Sequence, residues 1–400
     1  MVQSEKLHKA KNAKFDEFYT QYSDIQKEIN AYLEYNPNVF RGKIILLPCD
    51  DPEWSNFTKF FAQNFERLGI KKLISTSYAY ESKKVSQPCQ LSLFETESPK
   101  FDKRKTNTHG KIFTLEKDTN KSGKIDINDL EWNYLNGDGD FRSDEVKKLR
   151  DDADIIVTNP PFSLYRDFVK WLIESNKKFL IIGNKLSPNN KEIFPLFMEN
   201  KMWSGKTEWS GGLWFETKNP DDVDKVVDGV NMKNVAAVWF TNMEHGRRHQ
   251  ALQLMTMEDN IKYSKHKEVR EIGYKKYDNY NAIEVPYTDA IPSDYKGIMG
   301  VPVSFLEKYN PDQFRILGCT QRGCHDKVPD LKKYNDYIEV RRNGNPTGST
   351  GNKTNENANL EQNDGKHNYF INKDGHIVQS APGRIFIQFK EENDENNIEN

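Results

Sequence analysis

Four short apolar runs, each closed by a polar turn and separated by stretches of helical character, constrain this chain more than any other feature. GKIILLPCDDP (42–52) reads as a buried strand ending in a proline-punctuated acidic turn, and KKLISTSY (71–78), DIIVT (154–158) and KFLIIGN (178–184) repeat the apolar pattern. SNFTKFFAQNFERLG (55–69) predicts a helix with a Ser cap and a closing Gly; SDEVKKLRDDA (143–153) and a segment through Trp171 to Glu174 predict two more. A further helix is predicted over 23–35 from the spacing of Ile25, Ile29, Tyr32 and Leu33, with Pro37 closing it. Strands alternating with helices imply an α/β fold with a mostly parallel sheet covered on both faces, completed by NVAAVWF (234–240).

Around this frame the pattern changes twice. Between about 79 and 131 Lys, Ser, Thr and Asn dominate and periodicity fades, as expected of an insertion. After about residue 245 the chain turns basic and tyrosine-rich, from Arg247 to Tyr280, a stretch that suits either a solvated face or a polyanion-binding surface. Residues 344–368 almost lack apolar side chains and are expected to be a mobile loop, before PGRIFIQFK (382–390) returns as a strand. With 400 residues, 36% of them hydrophobic, the chain suffices for two lobes, expected at 1–245 and 246–400.

The 58 basic and 60 acidic residues nearly cancel, so any contact with nucleic acid must come from a local patch. The four cysteines, Cys49, Cys89, Cys319 and Cys324, are too scattered for a disulfide scaffold, the first twenty residues carry no apolar signal core, and no apolar run approaches a membrane span. A soluble, cytoplasmic protein is expected, without a membrane partner.

Asn159-Pro160-Pro161-Phe162 stands directly after the strand DIIVT, where open α/β sheets bind ligands. The chemistry it suits is reaction at a planar exocyclic amino group such as that of adenine. That nitrogen is a poor nucleophile because its lone pair is delocalised, and it needs two acceptors for its N–H groups. The Asn159 side chain supplies one and the Pro160 carbonyl the other, held still by Pro161, whose ring fixes φ and removes a donor. Phe162 offers a face for stacking. The same tetrapeptide could also be a plain strand-to-helix turn with a core phenylalanine. Two acidic turns, Cys49-Asp50-Asp51-Pro52 and Gly137-Asp138-Gly139-Asp140-Phe141, favour the chemical reading, since sulfonium cofactors need carboxylates for ribose and amino groups beside a helix N-terminus.

Taken together, LHKAKNAKFDEFYTQYSDI (7–25), CDDPEWSNFTKFF (49–61), GDGDFRSDE (137–145), ADIIVTNPPFS (153–163), KFLIIGNK (178–185) and MGVPVSFLEKYNPDQF (299–314) resemble the EcoRI-type family of adenine-specific DNA methyltransferases over nearly the whole chain. The resemblance implies a Rossmann-like catalytic lobe binding S-adenosylmethionine, followed by a C-terminal target-recognition region. It implies methyl transfer to the N6 amino group of an adenine flipped out of a short site in double-stranded DNA. A monomer is expected, with a cognate restriction endonuclease in the cell but no stable complex with it. By position, Phe18, Tyr19 and Thr20 resemble the N-terminal cofactor motif, and Cys49, Asp50 and Asp51 the first glycine-rich motif. Asp140 and Phe141 resemble the motif that contacts the cofactor's adenine, and Asn159, Pro160, Pro161 and Phe162 the catalytic motif. Two departures stand out: the first motif lacks Gly-x-Gly, and the second strand ends in Ser-Thr-Ser-Tyr without a ribose-binding acid.

Other readings were weighed on the residues. Asp118 to Asp129 fits much of a calcium-loop template, but GKIFTLEK before it alternates like a strand, so a hairpin is expected and no metal. Cys319, Cys324 and His325 with His245 and His249 lack a standard zinc spacing. A methyltransferase acting on RNA or on a protein glutamine, and a DNA-binding module that has lost its cofactor, fit the same residues.

Overall fold

The apolar runs form the strands they predict. The computed structural model describes residues 19–50, 55–79, 100–217, 220–320, 327–350, 355 and 357–390. An eight-stranded sheet is built from β1 (Ile44–Leu47), β2 (Lys72–Ser77), β3 (Lys111–Leu115), β4 (Glu131–Tyr134), β5 (Ile155–Thr158), β6 (Lys178–Asn184), β7 (Trp203–Ser204) and β8 (Ala237–Thr241). Their spatial order is β4-β3-β2-β1-β5-β6-β8-β7.

Period-two alternation explains why the central strands read as unbroken apolar runs. Ile45, Leu47, Ile155, Val157, Leu180, Ile182 and Trp239 face one side, where they share a core with Ile25, Ile29 and Tyr32 of α1 (Tyr22–Tyr35) and with Phe57, Phe60 and Phe61 of α2 (Asn56–Gln63). Leu46, Ile156, Phe179 and Ile181, one residue out of step, are buried as well. On that second side lie α3 (Asp144–Asp152), packed on β1, and α4 (Tyr165–Ser175), whose Tyr165 ring lies so close to Gly183 that a Cβ there would sit 2.5 Å from it. The caps follow the sequence: Ser55 accepts from the Phe57 N–H, Ser143 from the Val146 N–H, and Gly69 closes its helix at φ 64°.

The sheet is less parallel than expected. β2, β1, β5 and β6 run parallel, whereas β8 is antiparallel to β6, and β3 and β4 form an antiparallel hairpin on β2. β3 and β4 form the hairpin that the alternation in GKIFTLEK predicts, and Lys111, Phe113 and Leu115, within the stretch expected to be an insertion, point into the structure and extend the sheet. The polar stretch Asp118–Asp129 joins β3 to β4 and closes on itself. Asp118 accepts the Gly123 N–H at 2.8 Å, and Asp129 accepts those of Thr119 at 2.8 Å, Asn120 at 3.1 Å and Asp126 at 3.0 Å. These carboxylates cap backbone turns. A smaller sheet pairs Tyr19–Thr20 with Leu213–Glu216, and the latter with Val230–Val235 and Lys225–Val227 beyond.

Two compact units result: 1–185 with 204–246, and 186–203 with 247–400. The second unit contains a four-stranded sheet ordered Ala282–Glu284, Ile298–Pro302, Arg384–Phe389, Phe314–Cys319. Its other sheet is five-stranded, ordered Pro346–Thr350, Ile338–Val340, Tyr369–Ile371, Ile377–Ser380, Asn359–Leu360. Two of these strands fall within 344–368, which the composition assigns to a mobile loop. Amides do there what apolar groups do elsewhere: the fully buried Asn359 donates its N–H to Asn279 Oδ1 at 2.9 Å and accepts from the Ser380 hydroxyl at 2.8 Å. Among the described residues no helix is long and apolar enough to cross a membrane.

The four-stranded sheet encloses a buried ionic cluster. Arg384 donates to both oxygens of Glu284, which also accepts from the Tyr277 hydroxyl, and Gly300 leaves room for that ring. Removing one partner leaves the other charge buried and uncompensated. Glu284→Ala is therefore expected to destabilise the second unit by roughly 3–5 kcal/mol, read as a lowered urea midpoint in equilibrium unfolding.

Candidate active site

The order of the strands creates the site. From β1 the chain crosses through α2 on one face to β2, whereas from β5 it crosses through α4 on the other face to β6, so the two connections diverge where β1 and β5 lie side by side. Such a switch point opens a crevice outside the carboxyl ends of the strands. Three of the turns singled out in the sequence converge there.

After β1 comes half-buried Cys49 and then Asp50, which is 5% exposed. Asp50 Oδ1 accepts from the Ser55 hydroxyl and Oδ2 from the Thr158 hydroxyl, both at 2.6 Å, while its own N–H reaches the Thr76 carbonyl at 3.1 Å. Its carbonyl accepts from the Ser75 hydroxyl, which also contacts Thr58 Oγ1 at 3.0 Å. The Ser-Thr-Ser end of β2 is thus a set of hydroxyls that fastens the β1 turn; Thr76 Oγ1 adds a bond to the Pro48 carbonyl at 3.0 Å.

The Gly137–Phe141 turn seats itself against that same strand end. The Ala79 N–H donates to the Asp138 carbonyl at 2.7 Å, and Gly139, at φ 82°, lies so near Ser77 that a Cβ would be 2.3 Å from its carbonyl oxygen. Gly110 completes the close approach, with a Cβ there falling 2.6 Å from the same oxygen and 2.7 Å from Gly139. Asp140 is gripped by Arg142 through Nε at 2.9 Å and Nη2 at 2.6 Å, and this guanidinium holds its carboxyl below the usual range. The neighbouring Phe141 turns inward, edge-on to Phe168 at 5.1 Å and Trp171 at 5.7 Å, and is 4% exposed. Its ring belongs to the core beneath α4.

Asn159 follows β5, with Oδ1 buried although the residue is half-exposed; Pro160 is buried and Pro161 half-buried. The Leu164 N–H donates to the Pro161 carbonyl at 3.0 Å, bending the chain through a short turn into α4. Half-buried Phe162 packs on the core that contains α1 and α2. Thr20 joins from the N-terminal side: its carbonyl accepts from Asn56 Nδ2 at 2.8 Å at the start of α2, and its own Oγ1 is buried without a hydrogen-bond partner. Phe18 and Asp51 lie outside the described residues. Ser75, Thr158, Gly110 and Arg142 are residues that sequence reasoning did not single out; their roles depend on long-range pairing, though the Asp-Phe-Arg spacing carries a trace of the last.

Among the described residues no group of three or more His, Cys, Asp or Glu is placed to hold a metal ion; Cys324 and His325 lie outside those residues.

A mixed α/β fold with a crevice outside the carboxyl ends of its parallel strands is the class that these observations define. A family model described as adenine-specific methyltransferase EcoRI matches residues 6–383. The chain is 39% identical to the Type II methyltransferase M.EcoRI of Escherichia coli over 322 residues, 78% of this chain and 88% of that protein. It is 34% identical to the Type II methyltransferase M.MpnI of Mycoplasma pneumoniae over 356 residues, 84% of this chain and 96% of that protein. No solved structure matches. The chain belongs to the EcoRI family of adenine-specific DNA methyltransferases.

Thr158 is the covalent neighbour of Asn159 and the hydrogen-bond donor to Asp50, so it can be tested alone. Thr158→Val leaves a buried carboxylate oxygen short of a donor and is expected to cost about 1–3 kcal/mol in urea unfolding, with Thr158→Ser recovering most of the loss.

Proposed function

We propose that this enzyme transfers the methyl group of S-adenosylmethionine to the N6 amino group of an adenine flipped out of a short site in double-stranded DNA. The first unit is then a Rossmann-like catalytic domain and the second the target-recognition region, in an enzyme acting as a monomer. The observation that carries the reading is the buried Oδ1 of Asn159 on a double-proline turn at the switch point.

The residues at the crevice suit the cofactor. The Thr20 Oγ1 is a buried polar atom without a hydrogen-bond partner, as a ligand-binding atom would be before its ligand arrives, and Gly110 and Gly139 let the Gly137–Phe141 turn pack directly on the end of β2 beside the crevice. Thr20 with its neighbours Phe18 and Tyr19 would hold the amino-acid end, the Cys49-Asp50-Asp51 turn would lie along the cofactor, and the ionised Asp140 would accept from its adenine amino group. Bound S-adenosylmethionine supplies an electrophilic methyl group on a sulfonium. The burial of Phe141 assigns it a structural part, holding Asp140 at the crevice.

At the target base the protein supplies geometry. Asn159 Oδ1 and the Pro160 carbonyl accept the two N–H bonds of the amino group and draw its lone pair out of conjugation, an interaction stronger in the transition state than in the ground state. Phe162 stacks on the flipped base.

Single-molecule sequencing of DNA from cells expressing the protein is expected to show modified adenines in one short motif. Asn159→Ala should lower kcat by at least about 100-fold with DNA binding largely intact; near-wild-type turnover would overturn the mechanism, and no modified adenine in either strain would direct the search to RNA. Phe162→Ala should weaken engagement of the base and Phe162→Trp should keep much of the activity, whereas equal losses would indicate a packing role. Gly139→Ala, which drives a methyl group into the Ser77 carbonyl, is expected to raise the dissociation constant for S-adenosylmethionine more than about tenfold, by roughly 1.4 kcal/mol or more, in titration calorimetry.

A further inference from the structure

A chain whose charges nearly cancel must hold a polyanion through a local patch, and much of the charge in the stretch 247–280 is engaged in internal contacts. Arg247 pairs with Glu307 at 2.6 Å, and Arg248 is 6% exposed, stacked on Trp203 at 3.6 Å. Lys265 and His266 share Asp289, Lys267 pairs with Glu271, Arg270 donates to the Ser264 carbonyl, and Tyr277 and Tyr280 are buried.

One end of the five-stranded sheet is arranged in the opposite way. Strand Ile338–Val340 turns through Arg341-Arg342-Asn343-Gly344-Asn345 into the edge strand Pro346–Thr350. The turn is rigid: Arg341 N–H donates to the Asn345 carbonyl at 2.9 Å, Gly344 N–H to the Arg341 carbonyl at 2.8 Å, Asn345 N–H to Asn343 Oδ1 at 3.2 Å, and Gly344 has φ 86°. The register Val340↔Tyr369 brings Lys366 and His367, which precede that strand, to the same end. Arg341, Arg342 and Lys366 are exposed, and none makes an ion pair among the described residues. The nearby carboxylates are already engaged, Asp364 by Gln379 and His367, and Glu339 by Asn368 and Thr347.

We propose that this hairpin is where the second unit grips the DNA backbone, with Arg341 and Arg342 each contacting a phosphate and Lys366 adding charge beside them. The inference deepens the reading of the second unit as the target-recognition region and rests on it. A guanidinium presents a planar fork that matches a phosphate. A tight turn fixes where the two forks start, so less freedom is lost on contact. The bonds formed are charge-assisted hydrogen bonds, and the ions released are the counterions of the DNA.

The test is fluorescence anisotropy with the full chain and a 30-base-pair duplex of arbitrary sequence, over 50–400 mM NaCl. R341Q/R342Q is expected to lower the slope of log K against log salt by about 2 and the affinity at 0.1 M salt by about 10- to 100-fold, without change in thermal midpoint. K265Q/K267Q, which removes the same net charge from paired lysines, should leave the slope as in the wild type, and R341K/R342K should restore most of it. A wild-type slope in R341Q/R342Q, or equal losses in both glutamine variants, overturns the assignment while leaving the DNA-enzyme reading intact. Failure of the wild-type protein to bind the duplex overturns both.

Discussion

Everything at the crevice hangs on the carboxylate of Asp50. It receives one hydroxyl from Ser55, the residue that caps α2, and another from Thr158, the residue before Asn159; its backbone is tied on both sides to β2. Hydrogen bonds to an ionised acceptor are about twice as strong as neutral ones, and a buried carboxylate without them is costly. One residue thereby sets the distance between the proposed methyl-donor side, built on the β1 turn and α2, and the proposed acceptor side, built on the β5 turn. On the proposed function, the described residues that would position the reacting groups stand on strand ends and helix caps.

The departure from Gly-x-Gly becomes intelligible in that light. Gly110 and Gly139 pack closely around the Ser77 carbonyl, and the β1 turn is held by hydroxyls of Ser75 and Thr76. Ser-Thr-Ser looks like a defect when set against a motif. In space it is the fastening.

The legible parts of the chain are those with local causes. β1, β2, β5 and β6, the caps Ser55 and Ser143, and the position of Asn159 after β5 follow from apolar runs, hydroxyl caps and proline chemistry read within about fifteen residues. What escaped depends on partners distant in sequence. β3 joins the main sheet because it finds β2, Phe141 is a core residue because α4 folds over it, and 186–203 clusters with the second unit because its helix Phe194–Met198 packs on Phe314–Cys319. Asn359 defeats composition altogether, being an amide buried among amides and hydroxyls. A sequence without apolar residues predicts exposure only when its polar groups lack each other.

The same use of polar groups governs the surface of the second unit. Tyr334 and Tyr337 are buried, the one donating to Asp278 and the other paired with His376, so that the loop between them is pinned at both ends while Lys333 and Asn335 face solvent. The Arg341–Asn345 turn is pinned likewise by its own backbone. A nearly neutral protein gains little from long-range steering; its hold on a polyanion must come from few charges placed stiffly. Such contacts lose less side-chain and backbone entropy when they form, and their small number keeps non-specific affinity low, since that affinity grows with the count of neutralised phosphates. For an enzyme that must leave wrong sequences quickly, the proposed arginine turn on a chain of balanced net charge would be a coherent physical solution.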